Sequence, residues 1–551
     1  MCGIWAFIEL IKKSTNHQKL YQDFMNIKHR GPDFSSFQTI KNLTIGFHRL
    51  SIINPKFHAN QPYIIEENDR TIIFVCNGEI YDFKNLINEH NLKMDSNSDC
   101  MTIPLLYLKY TTFNQYQGTD IKDFSKLFIN NIKGEFAFLL FEFDNLQNLK
   151  HIVIGRDQIG IRPLYWHKPN KDSKGIIFSS EIKGMTNFKD TIQEFNPGCI
   201  VKINIDDFGL LNNQESYNFK TVYDTIPSDQ ILENIKLSVI NSIKRRLCAD
   251  KPIAFLLSGG VDSSLVAAIS SKLLGQPIKT FCCGLSEGTD LLYARKVAEH
   301  IGSTHTEVFF TPEEGLNAIK DVIWTTETWD TTTIRASVGQ YLVCKYIGTK
   351  TDAKVVMVGE GPDEVCSSYL FNYYAPNGEE LHQAAKDYVE HIHIYDGRRA
   401  DRCISHWGLE GRIALLDPEF IENYWEIPSE KRHPKYKGIE KWWLRQAFEG
   451  SNILPNEVLW RKKEAFSDGI SGKTKSWFEI IQDYITPLVS EEFKQNPIGP
   501  TIEAHYYKKI FIEFFGEERL NIIPGYWQPR WDSNGKLNSY TDPSARTLSI
   551  Y

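Results

Sequence analysis

The chain reads as two domains of different fold class: an α+β half of stacked antiparallel sheets covered by helices, then an α/β half on a doubly wound parallel sheet with a helical C-terminal part. Three observations predict this. Apolar and polar residues alternate with period two through the first ~200 residues, as half-buried strands do. After residue 253, short apolar runs alternate with helical stretches, the βαβα rhythm of a parallel sheet. Between them, residues 204–228 are polar and carry Gly209 and Pro227, which places a linker there and gives domains of 2–205 and 228–551.

In the first half, Leu43, Ile45 and Phe47 alternate with Thr44, Gly46 and His48. The apolar run 72–75 is followed by Asn77-Gly78, a strong turn signal. Residues 135–143 are apolar nearly throughout, as in a strand buried on both faces. Residues 152–154 and 176–178 add short strands, and helices are expected at 18–26 and 102–110. In the second half, Ser228 is placed to cap a helix that carries Ile231, Ile235, Val239, Ile243 and Leu247 on one face. A strand at 253–257 precedes a glycine loop and a helix at 263–274. A strand at 280–284 precedes a helix from Leu291 that Gly302 stops, and a strand at 306–310 precedes a helix opening at Pro312. The strand at 354–358 ends in GEGPDE, and from Tyr369 onward the sequence looks mostly helical.

Composition narrows the function classes. With 551 residues, 42% hydrophobic and 24% charged, the chain has the make-up of a globular protein that buries a large core. A net charge of -7 gives no support for a nucleic-acid or membrane-surface partner. No apolar run approaches the ~18 residues of a membrane span, and no signal peptide is recognisable, so a cytoplasmic protein is expected. The ten cysteines are scattered, with no CxxC pair and no His/Cys cluster in the linear sequence. They read as reduced thiols, neither a disulfide frame nor a zinc site.

Chemistry concentrates in two places. Cys2, in MCGIWAF, becomes the N-terminal residue if Met1 is removed, and its thiol would then lie beside a free α-amine. That amine has a pKa near ~7.7–8.0, so its neutral fraction can take the thiol proton. Downstream come IKHRGPDFSS, HRLSI, CNGEIYD, NSDC, GRDQIGIRPLY and FSSEIKG. Together these resemble the class II glutamine amidotransferase domain, an N-terminal-nucleophile hydrolase, from Cys2 to about Gly198. The resemblance implies that Cys2 attacks the glutamine side-chain amide and that Asn77 and Gly78 form the oxyanion hole. It implies further that Arg49 grips the α-carboxylate and that Glu79 and Asp99 bind the α-amine.

The second place is LLSGGVDSSLVAA, where Ser258, Gly259, Gly260, Asp262 and Ser263 follow a buried strand and open a helix. Glycines let backbone approach phosphate oxygens, and the helix N-terminus favours an anion. No GK[ST] follows, so this is not a Walker loop. The SGGxDS form resembles the ATP-pyrophosphatase family, which splits ATP between its α and β phosphates. Asp262 and Asp363 are hard oxygen ligands suited to Mg²⁺ on the departing pyrophosphate.

The segments ETWDTTTIRAS, VGEGPDE, YDGRRADRCISHWGLEGR and WRKKEAFSDG carry the resemblance on to the glutamine-hydrolysing asparagine synthetases, over nearly the whole chain. It implies ATP and Mg²⁺ as cofactors, glutamine and aspartate as further substrates, and a homodimer. Leu256, Ser258 and Cys283 would lie around the adenosine, and Gly359, Gly361 and Asp363 at the phosphates. Thr332 and Arg335 would lie near the aspartate and phosphate end. Lys463 would neutralise phosphate charge, and Glu360 would take a proton from attacking ammonia. The sequence departs from the family at Val358, Pro362, Ser367 and Ser368, in VGEGPDEVCSSY, and at Ala414. Those departures leave open an amidotransferase acting on another carboxylate, or a non-catalytic nucleotide- or glutamine-binding regulator.

Overall fold

The computed structural model describes all residues except 11–15, 68, 95–97, 115–117, 169–174, 189–190, 206–210, 220–227, 287, 464–468, 470, 472–474, 538–541 and 545–551. The chain divides into two compact units, Met1–Asn218 and Phe219–Tyr551.

The first unit contains two antiparallel sheets of six strands each. One has the order Gln193–Glu194, Tyr165–Trp166, Gly175–Ser179, Gly3–Glu9, Leu43–Arg49, Phe34–Ile40. The other runs Leu211–Ser216, Cys199–Asn204, Leu149–Arg156, Gly134–Asp144, Arg70–Ile80, Tyr63–Glu67. Ile4, Ala6, Ile45, Phe47, Leu139 and Phe141 meet in a core between the sheets. Ile72, Phe74, Phe138 and Leu140 bury their side chains on the far face of the second sheet, against Ile103, Leu106, Phe124 and Phe128. Those last four come from the helices Thr102–Tyr110 and Lys122–Asn131. The helix His17–Met25 covers the first sheet, where Phe24 stacks on His48 at 3.8 Å. Gly134–Asp144 thus packs on both faces, which is why its sequence is apolar without alternation.

Two expectations in this unit are corrected. Asn77-Gly78 is no turn: the strand Arg70–Ile80 runs straight through, with Asn77 opposite Ala137 and Gly78 opposite Phe136. Gly78 has a φ of +146, and a β-carbon there would collide with Glu135 O, so close strand approach accounts for this glycine. The polar stretch read as a linker contains the strand Leu211–Ser216, paired with Cys199–Asn204. Backbone bonds to one neighbour suffice for an edge strand, so apolar alternation need not mark it.

The second unit carries a five-stranded, all-parallel sheet in the order Thr304–Phe309, Lys279–Gly284, Ile253–Leu256, Val355–Val358, Glu410–Ile413. The first three strands progress to one side of Ile253–Leu256 and the last two to the other. The order therefore reverses at Ile253–Leu256 and Val355–Val358, where open α/β sheets bind ligands. Glu410–Ile413 lies in the region expected to be helical. Its sequence EGRI hides a strand because Glu410 and Arg412 are buried as an ion pair at 2.8 Å, and Arg412 also donates to Arg246 O and Cys248 O, both at 2.7 Å. The helix Val261–Leu274 starts two residues earlier than expected, with Gly260 as its N-cap. Thr289–Ile301 ends at Gly302, whose φ is +64, and Pro312–Thr326 opens on a Thr311/Glu314 capping box.

The helix Ser228–Arg246 is tied down electrostatically. Asp417 caps the helix Pro418–Trp425 and receives Arg245 at 2.9 Å and Arg246 at 2.8 Å. Burial pushes the Asp417 carboxyl up, but Arg246 and Arg245 outweigh it and hold it below the usual carboxylate range. Asp417→Ala leaves both guanidiniums without this partner, and a loss of ~3–5 kcal/mol is expected. Urea unfolding followed by tryptophan fluorescence checks this. Because the folded pKa is depressed, the stabilisation is present above ~3.9, the unfolded value, and fades as pH falls through the folded one. The difference between wild type and variant should therefore shrink only in acid.

Candidate active sites

In the first unit Cys2 sits at the start of the strand Gly3–Glu9. Its carbonyl accepts from Arg30 Nε at 2.9 Å, and its half-buried thiol points to Leu50 O at 3.8 Å. Arg30 is buried and paired with Glu181 at 2.5 Å, which also takes Lys183 at 2.7 Å and His29 at 3.0 Å. The Met1 side chain is buried as well, its sulfur 2.6 Å from Arg162 and 3.6 Å from Arg30, and Arg162 pairs with Glu135 at 3.1 Å.

The strand Arg70–Ile80 is in contact with Gly3–Glu9 across the core and brings Asn77, Gly78 and Glu79 to the same end of the unit as Asp99. Ile80 N donates to Asp99 Oδ2 at 2.7 Å, and the Cys100 thiol donates to Gly78 O at 3.4 Å. Asn77 is fully buried, and neither its Nδ2 nor its Oδ1 has a hydrogen-bond partner among the described residues. Leaving such groups unsatisfied costs ~1–3 kcal/mol each, so this amide is a desolvated donor and acceptor held at the end of the strand. Arg49 is 5% exposed and donates to Ile53 O, Asn54 O, Lys56 O and Asn60 Oδ1, at 2.6 to 3.3 Å. It thereby pins the segment 53–60, and a carboxylate bound there would have to share these donors.

In the second unit a cleft of about 150 Å³ opens at the ends of the two central strands. Ser258 N donates to Ser263 Oγ at 3.1 Å, and the two hydroxyls lie 3.0 Å apart, closing the loop through Gly259 and Gly260. A β-carbon on Gly359 would lie 2.6 Å from Ser263 N, so only glycine lets the segment after Val358 abut the loop. Leu256, Ser258, Asp262, Cys283 and Gly361 also line the cleft, and Cys283 donates its thiol proton to Gly339 O at 3.2 Å.

The charges meet here. Lys441 Nζ bonds Asp262 Oδ2 and lies 2.5 Å from Asp363 Oδ1, while Lys463 Nζ bonds Asp363 Oδ2. Asp262 Oδ1 has no partner among the described residues. Burial pushes Asp262 up against the pull of Lys441, whereas Lys441 and Lys463 overcome burial at Asp363 and hold it far below the usual range. Glu360 accepts from Gln340 Nε2 at 3.0 Å and lies 3.7 Å from Arg399. Its pKa is raised by burial, against Arg399 and with help from Asp396. Glu364, bonded by the Tyr369 hydroxyl, is pushed up to about 8 by burial and by the charges of Asp396 and Asp363.

Three expected residues, Gly259, Thr332 and Arg335, are absent from the lining of the cleft. Arg335 is buried and held by Glu503 at 2.5 Å and Asp542 at 2.9 Å, so its charge is already balanced by two carboxylates. Conversely, Lys441, Glu364, Asp396 and Arg399 line the cleft without having been singled out. Asp396 and Arg399 lie in YDGRRADRC, which carried the family resemblance; Lys441, beside two tryptophans, has no spacing signal at all. Much of WRKKEAFSDG lies outside the described residues.

Comparison with known proteins agrees with this layout. The glutamine amidotransferase domain family matches residues 1–217, and the asparagine synthase family matches 234–390 and 374–533. The chain is 38% identical to the asparagine synthetase [glutamine-hydrolyzing] of Gallus gallus, over 100% of this chain and 99% of that protein. The proteins of that name from Cricetulus griseus and Homo sapiens are each 36% identical, with the same coverage. By full-length similarity and by both domains, the chain belongs to the family of glutamine-hydrolysing asparagine synthetases.

Proposed function

We propose that this chain makes asparagine from aspartate, using glutamine as the nitrogen donor and ATP as the activating agent, with glutamate, AMP and pyrophosphate as the other products. The observation that carries the reading is the convergence of Asp262, Asp363, Lys441 and Lys463 at the mouth of the Ser258–Ser263 loop. In the first unit, with Met1 removed, the α-amine of Cys2 accepts the thiol proton and the thiolate attacks the glutamine amide carbon. Asn77 Nδ2, already desolvated and unpartnered, donates to the oxyanion together with Gly78 N–H. The α-amine returns that proton to the departing nitrogen, ammonia leaves, and water cleaves the thioester to glutamate. Arg49, Glu79 and Asp99 hold the charged ends of the substrate.

In the second unit an oxygen of the aspartate side-chain carboxylate attacks the α-phosphorus of ATP, and the bond to pyrophosphate breaks. Lys463 and Lys441 balance the phosphate charge. Leu256, Ser258 and Cys283 flank the nucleoside. Asp262 and Asp363 fit Mg²⁺ by their hard oxygens and by the unpartnered Asp262 Oδ1, and the ion would screen the departing pyrophosphate. Ammonia then attacks the acyl carbon and AMP leaves. Glu360, whose raised pKa makes it a better base than an exposed carboxylate, takes the proton. Because Arg335 is committed to Glu503 and Asp542, it supports the helix Thr331–Lys350 and does not touch substrate. A homodimer in the cytoplasm completes the proposal. Among the described residues no helix is long and apolar enough to cross a membrane.

The direct test is one mixture of protein, Mg-ATP, aspartate and glutamine, with AMP and asparagine quantified together. Equimolar products are expected; glutamate without AMP would point to another acceptor. Cys2→Ala should abolish glutamine-dependent synthesis and leave ammonia-driven synthesis intact. Asn77→Ala should lower glutaminase kcat ~10²–10³-fold, with the ammonia-driven rate as internal control. Lys463→Ala should end AMP formation while glutaminase survives; undiminished AMP release would remove Lys463 from the adenylation step.

A further inference from the structure

A cluster of potential metal ligands, softer in chemistry than the Asp262–Asp363 pair, lies at the edge of the parallel sheet. The strands Lys279–Gly284 and Thr304–Phe309 pair with Thr280 opposite His305 and Cys282 opposite Glu307. Residues two apart on a strand share a face, so all four side chains gather on one side. Cys282 Sγ, a ring nitrogen of His305 and a carboxylate oxygen of Glu307 lie within 4.8 Å of one another. Cys282 Sγ is 3.3 Å from His305 Nε2. A tetrahedral zinc at ordinary bond lengths needs about 3.6 Å between such atoms, so little has to move. The other ring nitrogen, Nδ1, lies 2.9 Å from Thr280 Oγ1, which lies 2.8 Å from Ser303 Oγ. With Nδ1–H donated to Thr280, the Nε2 lone pair faces the thiol, and that outer hydrogen bond is what orients a metal-bound imidazole.

We propose that Cys282, His305 and Glu307 bind a zinc-class divalent cation, with water as the fourth ligand. On binding, the Cys282 S–H bond breaks, an Sγ–metal bond forms and the proton goes to solvent. The sulfur and nitrogen donors distinguish this site from one for Mg²⁺. Glu307 is held by Arg295, with Nη2 2.8 Å from Oε2, and Arg295 is half exposed, so the cation competes with a guanidinium that can swing into water. Cys282 also lines the nucleotide cleft, so the bound ion would staple the edge strand beside that cleft.

Co²⁺ titration of the full-length protein tests this, read by the thiolate-to-cobalt charge-transfer band and by the proton released. One band is expected, lost in Cys282→Ser and kept in Cys2→Ser and Cys248→Ser. Thr280→Val, nearly isosteric, should weaken Co²⁺ binding ~10-fold by removing only the outer hydrogen bond. Arg295→Ala should tighten it, an effect that no loss of folding produces. Zn²⁺ should raise the melting temperature of wild type and not of Cys282→Ser. A band that survives Cys282→Ser, or an affinity indifferent to both Thr280→Val and Arg295→Ala, would overturn the assignment.

Discussion

Two carboxylates brought together in a buried cleft set the terms for the second unit. Asp262 opens a helix after one central strand and Asp363 follows the next, so the strand-order reversal forces them together. Like charges ~4 Å apart at an effective dielectric of 20 repel by roughly 4 kcal/mol. Lys441 bonds both, and Lys463 adds a second positive charge on Asp363. The four groups form a neutral cluster in which each charge needs the others. In the proposed reaction, the triphosphate of incoming ATP and its cation would exchange partners within that cluster: lysines onto phosphate, carboxylates onto metal.

The first unit solves a related problem around Cys2. Guanidiniums of Arg30 and Arg162 are buried next to the N-terminus and are balanced by Glu181 and Glu135. This rigid frame fixes the backbone of Cys2 through Arg30. Asn77, by contrast, is left buried with no partner on either amide atom. One part of the site is closed by buried ion pairs; the other keeps a desolvated amide open to a hydrogen bond. That contrast is what a preorganised oxyanion hole requires.

The departures from the family sequence are accommodated locally. Pro362 occupies the first helical position of Pro362–Val365, where a missing N–H interrupts no helical bond. Val358 is buried at the end of its strand, opposite Ile413. Ser367 has a φ of +54, a conformation that suits glycine and costs a serine roughly 1–2 kcal/mol. Ser368 N–H donates to Asp363 O at 2.9 Å, as any residue could, but its hydroxyl also donates to Asp363 Oδ1. The altered turn thus gives Asp363 an orienting contact that a glycine could not make.

Periodicity and punctuation were enough to read both fold classes, because burial on one face or two leaves a pattern in any strand that packs through its side chains. Helix boundaries near Gly302 and Pro312 were legible for the same local reason. What alternation could not reveal were elements held by backbone or charge. Leu211–Ser216 needs only an edge to pair with, and Glu410–Ile413 buries an ion pair in place of apolar residues. Motifs drew attention to the loop Ser258–Ser263, Cys2 and Asn77, since the chemistry proposed for them demands particular residues in close sequence. Lys441 was invisible because it reaches Asp262 from 179 residues away. The pairing of Arg335 with Glu503 and Asp542 was invisible because only the folded chain brings those carboxylates to it. The gathering of Cys282, His305 and Glu307 follows from parallel register, which linear spacing does not encode. The sequence by itself determined those strands and helices that pack through an apolar face; the tertiary structure decided the elements held by edge pairing or buried charge, and which distant charges share a site, because electrostatic partners are chosen by distance in space.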